Sequence, residues 1–445
     1  MNIYFVSLGC DKNLVDSEVM LGLLAEKGHT LTDDEAKADV IVVNTCSFIH
    51  DAKEESIETL LEMAEYKKAG SAKVLVAAGC LAQRYQQEIL DEIEEVDAVV
   101  GTTGYGDICR VIDEALEGQR QVDIHSLAEL PAPEVHRVIT TGGYSSYLKI
   151  ADGCDKHCSY CIIPKIRGEY RSYPKEQIIK TARQLADAGV KELNIVAQET
   201  TMYGKDIYGK KVFHELLREL CQVDGIEWIR ILYCYPEEIT DELIQVMKEE
   251  KKICHYLDLP IQHASDDILK RMGRRTNKAQ LVDIIGRLRA EIPDIALRTT
   301  LITGFPGETE AQHEELMDFV EQMRFDRLGV FTYSPEEGTA AALMPDQIDE
   351  DVKLQRQEEL MALQQEIAFE ISDAMTGRTL DVLVEGRLPE EGVYIGRTYK
   401  DAPDVDGYIF ITAPYELMSG DFVKVTVTGS NEYDLIGEVL YEFTE

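Results

Sequence analysis

The first hundred residues alternate short apolar runs with longer amphipathic ones. Strands are predicted at Ile3 to Leu8, Val40 to Asn44, Val74 to Ala78 and Ala98 to Val100, separated by helices near Lys12 to Lys27, Ala52 to Lys68 and Leu81 to Glu94. Such alternation predicts βαβ units and a parallel sheet. A further amphipathic helix, Gly106 to Leu116, carries Cys109 as a core thiol, and a polar, Pro-containing stretch from Leu127 to Gly143 reads as a linker. Beyond it the alternation resumes. Strands are predicted at Tyr147 to Ile150, Leu193 to Val196, Trp228 to Tyr233, Tyr256 to Leu259, Ala296 to Ile302 and Arg327 to Thr332. Helices fall near Lys175 to Ala188, Phe213 to Gln222, Asp241 to Glu250, Leu281 to Glu291 and Ala311 to Met323. Six βα units make an open partial barrel whose site belongs at the carboxyl ends of the strands. A long helix, Asp349 to Ala374, with Val352, Leu360, Leu363, Ile367 and Ile371 on one stripe, runs to Gly377 as a C-cap. Five short Val-, Ile- and Tyr-rich runs then predict a small β-barrel: Thr379 to Glu385, Val393 to Arg397, Gly407 to Ile411, Phe422 to Thr428 and Ile436 to Tyr441.

The candidate chemistry lies in KIADGCDKHCSYCIIPKIRG, Lys149 to Gly168. Cys154, Cys158 and Cys161 stand there in Cys-x3-Cys-x2-Cys spacing just past a predicted strand. Three thiolates in so tight a loop can hold three corners of one iron-sulfur cluster and leave one iron of a cubane open to a small molecule. A zinc site would need four ligands; the next cysteine is Cys221, and His157 sits awkwardly between two of the thiols. Cys10, Cys46 and Cys80 each follow the end of a predicted strand, in LGC, NTC and AGC contexts. Residues beyond the carboxyl ends of parallel strands gather along one edge, so these three thiols converge on a second candidate cluster site. Cys221, Cys234 and Cys254 share no spacing and read as ordinary thiols.

Composition narrows the setting. The 445 residues carry 83 acidic and 45 basic side chains, a formal net charge of −38. That balance argues against broad non-specific binding to nucleic acid, which depends on Lys and Arg displacing counterions, and it suits a basic protein partner. The chain shows no signal-peptide pattern and no apolar run of membrane-spanning length, so it is expected to be cytoplasmic, with ten cysteines that favour metal ligation over disulfides. Basic residues cluster at Lys165, Arg167, Arg171 and Lys175, and at Lys270, Arg271, Arg274, Arg275 and Lys278; either set could hold a carboxylate or phosphate, and the second also fits a solvated helix face.

The Cys-x3-Cys-x2-Cys loop resembles the cluster motif of the radical S-adenosylmethionine (SAM) enzymes. LGCDKNLVDSE (Leu8 to Glu18), NTCSFI (Asn44 to Ile49) and AAGCLAQRY (Ala77 to Tyr85) narrow the resemblance to the methylthiotransferases, over almost the whole chain. The tail resembles a TRAM domain, usually an RNA-binding module, yet Arg378 to Glu445 carries 14 acidic against 5 basic residues. The resemblance implies an α/β architecture of three parts: an amino-terminal parallel-sheet domain with an auxiliary cluster (1–126), a partial (βα)6 radical SAM core (140–375) and a TRAM β-barrel (376–445). It implies two 4Fe-4S clusters, on Cys154, Cys158 and Cys161 and on Cys10, Cys46 and Cys80. It also implies SAM as radical source and methyl donor, a sulfur donor, and an electron donor such as flavodoxin or ferredoxin. In that family the open iron chelates SAM, and its reductive cleavage yields a 5′-deoxyadenosyl radical able to break an unactivated C–H bond. Gln198, Glu199, Arg298 and the backbone around Gly304 to Gly307 are, by the same resemblance, candidates to contact SAM. On the residues alone a strand-end Gln or Arg is often a capping group, and Gly-Phe-Pro-Gly a plain turn.

Methylthiotransferases divide chiefly into enzymes of tRNA adenosine and a branch that modifies an aspartate of small-subunit ribosomal protein number twelve, free or on the ribosome. LYCYPEEI (Leu232 to Ile239), LDLPIQHASDDILKRMGR (Leu257 to Arg274) and GRTYKDAPDVDG (Gly396 to Gly407) resemble the second branch. The expected reaction replaces a β-carbon hydrogen of aspartate with a methylthio group; a tRNA adenosine methylthiotransferase is the alternative, and a non-catalytic iron-sulfur RNA-binding protein a third. Asp401, Asp404 and Asp406 are expected to form a solvated acidic loop that steers the basic partner.

Overall fold

The computed structural model describes residues 1–131, 136–389 and 392–440. Its amino-terminal sheet is parallel throughout. From edge to edge its strands are Thr30–Thr32, Asn2–Ser7, Val40–Thr45, Val74–Gly79, Ala98–Val100 and Gln121–Asp123. The central runs VIVVNT and VLVAAG are buried along their whole length, as a parallel sheet covered by helices on both faces requires. Two elements exceed the sequence expectation. Thr30–Thr32 and Gln121–Asp123 are three-residue edge strands, too short for a period to register. One differs from it: the helix expected over Leu81 to Glu94 breaks into Cys80–Tyr85 and Gln87–Glu92 at Gln86, whose φ is +45°.

The helix Asp11–Glu26 buries Lys12, Asn13, Asp16, Ser17 and Glu18 as well as Met20 and Leu24. Polar burial on that scale needs a partner for every group. The helix lies between two domains, with Met20 and Leu24 on its own sheet and the polar side toward the strand Ser145–Lys149. Glu18 is paired with Arg137 and accepts the backbone N–H of Thr140 at 2.7 Å. The stretch read as a linker is thus fastened to this helix at Arg137 to Thr140; residues 132–135 lie outside the described residues.

The second sheet is also parallel and open, in the order Arg327–Thr332, Ala296–Thr303, Ile253–Asp258, Trp228–Ile231, Glu192–Val196, Ser145–Lys149. Helices Lys175–Asp187, Phe213–Leu220, Asp241–Glu249, Lys278–Glu291 and Glu310–Met323 cover its convex side over one large apolar core. The helix Glu350–Asp373 packs on the last strand and leads to a closed barrel of Thr379–Leu388, Val393–Thr398, Ile409–Thr412, Asp434–Val439 and Phe422–Asn431. Tyr441, expected in the last strand, lies outside the described residues.

The barrel closes the concave side of the open sheet. Glu192, at the start of its strand, lies between Arg397 of the barrel, at 2.5 Å, and Arg230, at 3.1 Å, with all three side chains fully buried. Burial alone would raise the Glu192 carboxyl, but Arg397 and then Arg230 bring it down to about 2. The loop before Ile409–Thr412 is not the solvated acidic surface expected. Asp401 binds Arg327 at 2.5 Å, and Asp406 lies 3.4 Å from Arg298 and accepts from the Tyr256 hydroxyl at 2.7 Å. Both carboxylates are 2 % exposed; only Asp404 of the three faces solvent. Cationic ends of the core strands draw these two acids inward, so reversing all three charges would undock the barrel rather than only slow a partner.

Candidate functional site

The loop triad begins where the strand Ser145–Lys149 passes through Ala151–Asp152 into Gly153. Gly153 has φ +79°, and a β-carbon there would collide with the backbone carbonyls of Gly168 and Glu169. The turn therefore requires glycine one residue before Cys154. The loop is clasped on both sides: Cys154 N–H donates to the Gly168 carbonyl at 3.1 Å, and Ser159 N–H to the Met272 carbonyl at 2.8 Å. Cys154 and Cys158 are buried and Cys161 half-buried. Burial pushes the Cys154 thiol up to about 12 and raises Cys161 from its ordinary value as well, with Cys158 adding to both. Thiols so poised stay protonated until a cation displaces the proton.

Gln198 and Glu199 follow the end of Glu192–Val196. Glu199 is 1 % exposed; its Oε1 accepts the Thr201 N–H at 2.9 Å, and its Oε2 lies 3.7 Å from Lys156 Nζ without a hydrogen bond. Burial lifts this carboxyl to about 7 against the pull of Lys156. Gln198 Oε1 is likewise buried and unpartnered. Two open acceptors on adjacent residues, with Glu199 lining a cavity alongside Lys156, Tyr170 and Arg275, suit a bound amine or hydroxyl. Arg298 is engaged by acids instead, with Nη1 3.0 Å from Asp258 and Nε 3.4 Å from Asp406. The space a side chain would need at Gly304 (φ +68°) is filled by Lys353, so the close approach this glycine permits is to a protein side chain.

The amino-terminal triad is assembled from three neighbouring strands. Cys10 caps the helix after Asn2–Ser7, Cys46 follows Val40–Thr45, and Cys80 opens the helix after Val74–Gly79. Gly9 and Gly79 both have positive φ. A β-carbon on Gly9 would lie 2.7 Å from that of Cys46, and one on Gly79 2.7 Å from the Thr45 carbonyl. Burial and then the neighbouring Cys80 and Cys10 push Cys46 up to about 12; burial raises Cys80 as well, and Arg167 opposes it.

The donor sets fit clusters better than single ions. Zinc in a thiolate site would hold its sulfurs about 3.8 Å apart, from Zn–S bonds of about 2.3 Å in a tetrahedron. Among the described residues the only three His, Cys, Asp or Glu ligand atoms within 4.8 Å of one another belong to Asp107, Asp123 and His125, so neither thiol triad has that spacing. Three thiols with no fourth protein ligand among the described residues are the donor set of a cluster that keeps one iron open.

The first basic cluster disperses. Lys165 donates to the Gly338 carbonyl, Lys175 pairs with Glu219, and Arg171 serves backbone carbonyls, while Arg167 is buried between the two sheets. The second cluster contains a residue that the sequence concealed. Arg274 is buried, stacks 4.2 Å over Tyr235 and donates to the Pro260 carbonyl at 2.7 Å; the Tyr235 hydroxyl lies 3.7 Å from Cys158 Sγ. Both residues fall in stretches singled out by resemblance, but a run of five basic residues carries no mark of which one turns inward. Lys156, inside the loop, bridges Glu199, Glu237 and Glu238 and was also missed.

An open parallel sheet with three thiols in the loop beyond its first strand defines a radical SAM enzyme, here joined to a second α/β domain and a TRAM barrel. The profile of the Radical SAM superfamily matches residues 148–320, that of the uncharacterized protein family UPF0004 residues 2–101, and that of the TRAM domain residues 376–440. Radical SAM membership implies a 4Fe-4S cluster and SAM. "Ribosomal protein uS12 methylthiotransferase RimO" of Lachnoclostridium phytofermentans is 66% identical over 98% of this chain and 99% of its own length. The protein of the same name from Clostridioides difficile is 50% identical over 99% of each chain. This chain belongs to the RimO family. Among solved structures, the radical SAM methyltransferase TsrM of Kitasatospora setae is similar in fold, with TM-score 0.55 and 13% identity over 87% of this chain and 79% of that one. The cobalamin-dependent radical enzyme OxsB has TM-score 0.54 and 15% identity over 81% and 56%. Among the described residues no helix is long and apolar enough to cross a membrane.

Proposed function

We infer that this chain is a radical SAM methylthiotransferase whose substrate is ribosomal protein uS12, and that it places a methylthio group on the β-carbon of an aspartate there. The observation that carries the reading is the pair of thiol triads joined through one short helix, Ile163–Arg167, which starts two residues after Cys161 and ends on Arg167, 3.6 Å from Cys80. The substrate rests on the relatives that match end to end under that name. In this reading residues 1–126, 140–375 and 376–445 are the three functional units. Cys154, Cys158 and Cys161 hold the SAM-binding cluster, and Cys10, Cys46 and Cys80 hold a second one that handles sulfur from a separate donor. When bound, the clusters and SAM supply the electron, the carbon radical and the sulfur and methyl groups.

The chain's own residues bind, orient and exclude water. Glu199 and Gln198 present unpartnered acceptors to the polar end of SAM, and Lys156 balances the Glu199 charge. Arg298, engaged by Asp258 and Asp406, helps seat the barrel that covers the concave face. Arg84, four residues after Cys80, and Lys53 of the amino-terminal domain both grip Glu336 in the loop after the last core strand, at 2.9 and 2.8 Å, which ties the two domains together. A flavodoxin- or ferredoxin-type protein is the proposed electron donor. The acidic surface, net charge −38, favours a basic ribosomal protein over RNA. Mass spectrometry of ribosomal proteins and tRNA from a deletion strain tests the reading: uS12 should lose its methylthio mass while tRNA is unchanged. Loss from tRNA alone would refute it.

A further inference from the structure

Between the two triads lies a sealed ionic cluster. Lys149 contacts Asp16 and Asp152, and Arg167 Nη1 lies 2.6 Å from Asp16 and 3.5 Å from Asp152; all four side chains are at most 4 % exposed. Two acids and two cations balance, so the set as a whole needs no further counter-charge. The other end of the guanidinium does something that balance does not require. Nη2 donates to Asn13 Oδ1 at 3.0 Å and to Cys80 Sγ at 3.6 Å. Cys80 belongs to the amino-terminal triad, while Arg167 comes from the radical domain, on the helix that leaves the loop triad. Asn13, the other acceptor, is itself fixed: its amide donates to the carbonyls of Leu8 at 2.7 Å and Thr45 at 3.1 Å, which flank Cys10 and Cys46. Ile162 and Ile166 pack on Cys80 and keep water away. The loop triad differs in the contact itself: its Cys158 meets the neutral hydroxyl of Tyr235, and the nearby buried Arg274 stacks on that ring rather than donating to a thiol.

Charge and N–H bonds directed at a cluster's sulfurs stabilise the reduced, more negative state and raise its potential. In a buried site such an N–H acts with little screening by water, even where its charge is balanced by nearby acids. We propose that Arg167 is a positioning residue of the radical domain that raises the reduction potential of the auxiliary cluster through its N–H on Cys80 Sγ, so that docking of the two domains sets that potential. The proposal rests on the reading of Cys10, Cys46 and Cys80 as a cluster site.

Full-length protein lacking the loop thiols (Cys154→Ala, Cys158→Ala, Cys161→Ala) isolates the auxiliary cluster for iron analysis and for a potentiometric titration followed by electron paramagnetic resonance. Two changes are compared on that background. Asp16→Asn with Arg167→Gln removes one acid and one cation together, so the buried balance holds. Arg167→Lys keeps the charge but withdraws the fork that reaches Asn13 and Cys80 at once. Each should retain its iron and show about tenfold less reduced cluster at a fixed potential, a shift of about 59 mV to more negative values for one electron. An unmoved midpoint in an iron-replete variant overturns the proposal. Absence of iron from the parent with intact Arg167 refutes instead the cluster reading on which it rests.

Discussion

The two thiol triads reach similar ends by opposite means. The loop triad is local: Cys154, Cys158 and Cys161 lie within eight residues, on one turn that a single glycine, Gly153, allows. The amino-terminal triad is global, because Cys10, Cys46 and Cys80 meet only when three parallel strands pair in the right order. Their surroundings differ in the same sense. Beside the loop stand Glu199, lifted to about 7, and the phenol of Tyr235; the sheet-edge triad is backed by a charge-balanced ionic cluster. A local motif can therefore be tuned by single neighbours, whereas the assembled one depends on how two domains dock.

The largest test separates the triads outright. Replacing Cys154, Cys158 and Cys161 by Ala should remove about half of the eight irons expected for two 4Fe-4S clusters and abolish reductive SAM cleavage. Replacing Cys10, Cys46 and Cys80 should remove the other half, spare 5′-deoxyadenosine formation and end methylthio transfer. Iron counts with product analysis decide it; full iron in either triple variant would collapse the distinction.

Next in size is the seam that supports the assembled triad. Asp406 binds Arg298, Arg298 binds Asp258, Asp258 accepts the Tyr233 N–H, and the Tyr233 hydroxyl donates to Asp11 beside Cys10. Asp406→Lys would set two cations together in a buried site, at a cost of about 3–5 kcal/mol. Urea unfolding should register that loss, and iron should leave the amino-terminal triad before the loop. Wild-type stability in this variant would show that the seam is not a support.

A smaller effect is expected from pH, and on the loop side. Glu199 is raised from 4.5 to about 7, so its ionised form is disfavoured in the fold. Its contribution is complete below pH 4.5 and declines as the pH rises through 7. Glu199→Gln should erase that decline, gaining about 3 kcal/mol on the parent above pH 7 and almost nothing near pH 4.5. Unfolding of the two proteins at both pH values checks the sign; a gain at low pH would reverse it. Smallest should be Tyr235→Phe. Loss of its hydroxyl from Cys158 should move the loop cluster to a more negative midpoint, by less than the shift expected at Arg167, with iron content unchanged. Titration of the loop cluster alone measures it, and an equal or larger shift would make the phenol the stronger tuner.

Much of this was legible before any fold was known. Runs such as VIVVNT, buried along their whole length and separated by helices, make a parallel sheet legible from pattern, and a thiol after each of three runs marks one sheet edge. The helix Asp11–Glu26 was legible as a helix but not as an interface, since Asn13, Asp16 and Glu18 look like solvent-facing residues until the partner domain arrives. Asp401 and Asp406 misled for the same reason: a carboxylate in a turn reads the same whether water or a buried arginine answers it.

Periodicity, the Cys-x3-Cys-x2-Cys spacing and the strand-end thiols need only local geometry, and for that reason the elements, the three-part architecture and the six candidate ligands could be read from the chain. Which polar groups are buried depends on what packs against them from distant parts of the chain. Arg167 against Cys80, Arg274 over Tyr235 and Glu192 between two arginines join residues from 38 to 205 positions apart, and only the folded molecule brings their charges out of water and into contact.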